Sequence, residues 1–215
     1  MGMNVTWSLI PAICMVAAAE EATNALFYRL VNECLCLAES IQDTASADLH
    51  AAQIKIRGTC LMGLSMSATF NGRDIEPNAA LQEKLVAEIK RIKDADFYGS
   101  RIMLAAYADD KLATLPPPTE EEKERVRGQF ISRGEAILMQ AAGVNNRQSA
   151  EAYCLDWAAT MLMAQYAQQT GLIHFVSDAE LQTLLRAVHQ ADTALNTQLK
   201  EHNYYGSPLV KDILR

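Results

Sequence analysis

The segment AAAEEATNALFYRLVNECLCLAESI, Ala17 to Ile41, places Ala22, Leu26, Leu30, Cys34, Leu37 and Ile41 on one face of a helix. Phe27, Val31, Leu35 and Ala38 widen that stripe beyond a third of the circumference, as expected of a helix central in a bundle rather than on its skin. The same spacing recurs downstream. Leu49, Ala52, Ile56, Cys60, Gly63 and Met66 define a second helix from about Ala47 to Phe70, closed by the turn Asn71-Gly72-Arg73-Asp74. Gly58 and Gly63 lower its propensity, and close approach of a neighbouring helix is the plain explanation. Leu81, Leu85, Ile89 and Ile92 follow Pro77 at helical spacing. Gly99 either interrupts this segment or allows a tight crossing before Ile102, Met103 and Ala106, so residues 78–112 are one long helix or two joined near Asp94–Gly99, and two are counted.

Leu115-Pro116-Pro117-Pro118 is the sharpest boundary, because three prolines cannot continue a helix. Thr119 and Glu122 have capping-box spacing, and the helix they open carries Val126, Phe130, Ile137 and Ala141 inward before Gly143. Ser149 is expected to cap a sixth helix bearing Ala152, Leu155, Ala159, Leu162 and Tyr166. Ser177 with Glu180 is expected to cap a seventh, bearing Leu181, Leu184, Val188, Leu195 and Leu199. Runs of β-branched and aromatic residues are nearly absent. The expected fold is therefore all-α, a bundle of about seven helices with a proline-rich connector at 116–118. Residues 17–202 are expected to form a single helical domain, with 115–119 a candidate subdomain boundary.

The two ends are apolar. Residues 1–16 form an arm or part of a signal segment, and 203–215 a tail expected to dock on the body or on a partner. Trp7, Ile10, Tyr204, Tyr205, Leu209 and Ile213 are the candidate partner-binding residues, since each would cost burial free energy if left in water. The stretch from Trp7 to Ala19 is too short to span a bilayer, so no integral membrane insertion is expected. Cytoplasmic location is expected. The alternative is a secreted or surface protein cleaved after Ala19, which would leave four cysteines, enough for two disulfides.

The 215-residue chain is acidic, with 26 Asp and Glu against 19 Lys and Arg, a net charge of -7. Its most basic stretch, KLVAEIKRIK at 84–93, contains Glu88 and reads as a solvated helix face, so no nucleic acid is expected as a partner. No HExxH, CxxC, Glu-x-x-His pair or glycine-rich phosphate loop occurs, and neither metal nor cofactor is expected. These absences favour a non-catalytic interaction or structural subunit, binding a protein partner or itself. An exported, disulfide-containing binding domain is the first alternative. The second is a helical enzyme or small-ligand binder with an interhelical pocket. Its candidates are Cys154, Asp156, Trp157, His174 and His189, an acid beside a tryptophan being a way to raise a carboxyl pKa.

Overall fold

The computed structural model describes residues 20–70, 72 and 74–201. Among them the chain forms seven α-helices and two 3-10 turns, with no strand. The helices are α1 (Glu20–Glu39), α2 (Thr44–Phe70), α3 (Ala79–Asp94), α4 (Arg101–Tyr107), α5 (Glu120–Gly143), α6 (Arg147–Gln169) and α7 (Ala179–Glu201). The 3-10 turns, Phe97–Gly99 and Asp110–Thr114, lie on either side of α4. No helix among these residues is long and apolar enough to cross a membrane.

Long α2 is the hub, packed against α1, α4, α5 and α6, while α3 leans on α1 and α7 on α5. Residues from both sides of the prolines share one core. Leu30, Ile56 and Ile102 join Phe130, Leu155 and Leu181 in it, each no more than 2% exposed. A second cluster of Ile137, Tyr153, Cys154, Val188 and Leu195 fills the space between α5, α6 and α7. Tyr153 is fully buried there, and its hydroxyl donates to Asp192 Oδ1 at 3.1 Å, which removes the penalty of an unsatisfied phenol.

Local signals set the helix ends. Thr119 and Glu122 make the full reciprocal capping box at the start of α5. Between α3 and α4 the chain breaks over Ala95 to Ser100, with Asp96 left-handed at φ 58° and Ser100 Oγ accepting from Met103 N. Two expected caps differ. Asn146 caps α6, with Ser149 three residues on as its reciprocal partner. Asp178 rather than Ser177 caps α7, because its carboxylate reaches the amides of Glu180 and Leu181 while Ser177 Oγ donates back to His174 O. A carboxylate also suits the positive end of the helix dipole.

The expected stripe on α2 fails at its end. Met66 is 53% exposed, and Met62 and Phe70 beside it are 61% and 75% exposed. On α3, Ile89 is exposed as well, while Ile92 alone is deeply buried. Helical spacing identifies a face, but whether a neighbouring helix covers all of that face depends on where the neighbour ends.

Candidate binding groove

The middle of α2 and the facing side of α3 border an apolar cavity of about 400 Å³. Its inner wall comes from Cys34 and Ala38 of α1 and Met103 of α4. Leu61 and Met62 of α2 and Leu85, Ile89 and Ile92 of α3 form its sides. The space exists because α2 presents small residues here. A Cβ added at Gly58 would meet no atom within 4 Å, so this glycine faces open volume rather than a closely approaching helix. Close approach occurs instead at Gly134 on α5, where an added Cβ would lie 2.6 Å from Leu184 Cδ2.

Lys55 and Lys93 are the only charged residues of the described chain that line the cavity. Lys55 Nζ sits 5.0 Å from the centre of the Tyr107 ring, and Lys93 Nζ 5.8 Å from that of Tyr98. The two rings are themselves 5.5 Å apart, so one aromatic pair collects both ammonium groups. Desolvation pushes the Tyr107 phenol up to about 12, with Tyr98 adding to the shift, and Tyr98 is raised by desolvation and by Asp109. Both phenols therefore stay protonated at neutral pH. Met62, Met66 and Phe70 follow one another along α2 at four-residue intervals, all exposed, and exposed Ile89 lines the α3 side of the groove with Met62. Flexible methionine side chains suit a wall that must adapt to its contents.

Two further clefts carry charged and polar side chains in their walls. One, of about 540 Å³, is lined by His50, Gln53, Arg133, Gln140, Asp156 and Thr160 among others. Arg133 donates to Leu49 O at 2.7 Å, and burial lowers its guanidinium to about 10 despite Asp156. Burial likewise lowers His50. The other cleft, of about 770 Å³, contains Tyr28, Arg29, Glu33 and Arg57. An ionic chain runs between these clefts, from Arg147 through Glu151, Arg29, Glu33 and Arg57 to Asp156. Gln140 completes it with a 3.0 Å bond to Asp156 Oδ2. Burial works against the charge of Arg57, but Glu33 and Asp156 outweigh it and raise its pKa. The chain ties α1, α2, α5 and α6 together, and its carboxylates are engaged in holding helices.

The five residues expected to share an interhelical pocket do not line a common cleft among those described. Asp156 lines the Arg133 cleft and is held by Arg57 and Gln140. Cys154 is fully buried, and burial raises its thiol, with Asp192 and Glu151 adding to the effect. Trp157 packs partly buried between the two core clusters. His174 is exposed in the α6–α7 connector and His189 on the outer side of α7. Among the described residues no three His, Cys, Asp or Glu side chains gather as metal ligands would. Trp7, Ile10, Tyr204, Tyr205, Leu209 and Ile213 lie outside the described residues.

Cys34, Cys36 and Cys154 carry free thiols. Cys36 is exposed, whereas burial pushes Cys34 up to about 12. At about pH 8 an aromatic disulfide reagent is expected to label Cys36 in the native protein and reach Cys34 and Cys154 only after unfolding. Peptide mass mapping of the labelled protein reads this directly, and native labelling of Cys154 would contradict the packing of the second core.

The chain matches no family model, and no curated protein or solved structure matches it either.

Proposed function

We propose that the protein is a non-catalytic binding module that takes an aliphatic chain into the groove between α2 and α3. The observation carrying this reading is the apolar cavity beside Gly58, whose volume of about 400 Å³ falls within the roughly 300–1,000 Å³ common for small-molecule sites. Its lining is aliphatic and sulfur-containing, with aromatic rings and both cations confined to two lysine–tyrosine pairs. The other two clefts support a structural role better, because Arg29, Glu33, Arg57 and Asp156 in their walls already pair in a chain across the helices.

The test fills the cavity. Gly58→Phe places a ring into open volume on a helix where glycine is itself a poor former, so the thermal midpoint is expected to hold or rise. Binding of 1-dodecanol, followed by displacement of an environment-sensitive apolar dye, is expected to weaken by tenfold or more. Equal binding to wild type and Gly58→Phe would overturn the reading. So would a wild-type protein that binds no aliphatic probe and instead buries Met66 and Phe70 in a concentration-dependent dimer, the behaviour of a self-associating subunit.

A further inference from the structure

The ends of the cavity differ chemically, and that difference specifies more than an apolar occupant. Resting on the aliphatic-chain reading above, we propose that the ligand is a long-chain carboxylic acid, its tail in the α2–α3 cavity and its carboxylate between Lys55 and Lys93.

The charge pattern is the first support. Acids outnumber bases by 26 to 19 in this chain, yet both charged residues lining the cavity are lysines. Neither makes an ion pair within the described residues, although Lys123, Arg91 and Arg127 on other helix faces each hold a carboxylate. A lysine left beside an apolar cavity is a cation available to a ligand. Asp109 acts on Tyr98 but does not line the cavity.

Geometry is the second support. The two ammonium groups come from different helices, Lys55 from α2 and Lys93 from the last turn of α3, and each lies over one ring of the neighbouring Tyr107 and Tyr98 pair. The rings limit how far each flexible lysine swings into water, lowering the ordering cost of gripping an anion. Their protonated phenols line the same cavity and add neutral donors. Two point charges and two hydroxyls next to an aliphatic tunnel match one small anionic head on one apolar tail. A carboxylate gains charge-assisted hydrogen bonds there that an alcohol of equal length cannot make.

The experiment compares dodecanoate with 1-dodecanol, both below their aggregation concentrations, on wild type, Lys93→Gln and Lys55→Gln/Lys93→Gln. Lys93 is exposed, so its single variant tests the idea without disturbing the core, and circular dichroism checks that the double variant keeps its fold. Wild type is expected to prefer dodecanoate by about tenfold. Lys93→Gln should lose part of that preference and the double variant nearly all of it, read as the ratio of dodecanoate to 1-dodecanol affinity within each protein. Equal wild-type affinity for acid and alcohol would overturn the carboxylate inference while leaving the aliphatic-chain reading intact. A preference that survives in the double variant would overturn it too. Failure of both probes to bind wild type would remove both proposals together.

Discussion

Asp48→Ala is expected to lower the unfolding free energy by about 3 kcal/mol, the scale for breaking one side of a buried charged pair. The Asp48 side chain is almost fully enclosed between α2, α4 and α5. Its Oδ1 accepts from the Ile102 amide at 3.2 Å and its Oδ2 from Arg125 Nη1 at 2.8 Å. The Ile102 amide belongs to the first turn of α4, where no carbonyl of that helix can serve it. Removing the carboxylate therefore leaves a buried N–H without a partner and an arginine without its counter-charge. The pair itself has little net worth. Burial raises the Asp48 carboxyl above its ordinary value in spite of Arg125, so desolvation consumes much of the attraction. For that reason Asp48→Ala/Arg125→Met is expected to be less damaging than Asp48→Ala alone. Asp48→Asn, which keeps an acceptor for Ile102, should cost about 1 kcal/mol. Urea unfolding of the four proteins measures all of this, and an Asp48→Ala loss below about 1 kcal/mol would show that water reaches the site.

Gly134→Leu is expected to cost about 3 kcal/mol, and Gly134→Ala about 1 kcal/mol, although alanine is by far the better helix former. The reason is contact with α7. An added Cβ at Gly134 would lie 2.6 Å from Cδ2 and 2.8 Å from Cγ of Leu184, so the Leu184 side chain must leave its packed position or α7 must shift. Gly128, two turns earlier on α5, is the control. A Cβ there meets nothing within 4 Å, so Gly128→Ala should stabilise by about 0.5–1 kcal/mol through propensity alone. Leu184→Ala should relieve the Gly134→Ala clash, and the double-mutant cycle should show favourable coupling above about 1 kcal/mol. If Gly134→Ala stabilises as much as Gly128→Ala, α5 and α7 are not packed this closely.

These two glycines mark the boundary of what pattern reading reaches. Gly58 and Gly134 both sit inside helices, and nothing in their neighbours along the chain distinguishes them. One faces a cavity and the other a leucine fifty residues away. Met66 poses the same problem. It continues the apolar series of α2, and its exposure follows from the incomplete cover that surrounding helices provide at that end. The groove had a faint signal in Met62, Met66 and Phe70, a four-residue series on a helix whose core face was already supplied by Ile56 and Cys60. Lys55 and Lys93 had none, since they are 38 positions apart and are related only through a tyrosine pair on two further elements.

The local code settled the helical class and the Thr119 capping box, while the break between α3 and α4 was open in the sequence and decided by the fold. Side-chain period, missing amide hydrogens and capping bonds act within four residues, and the chain order states them directly. Folding in three dimensions settled which cap residue wins at α6 and α7, which apolar face stays open, and which charges become partners. Arg29 meets Glu151 across 122 residues, and Arg57 meets Asp156 across 99. Such pairings depend on how helices cross and where each one ends, quantities that arise from packing many side chains at once and that no single segment encodes.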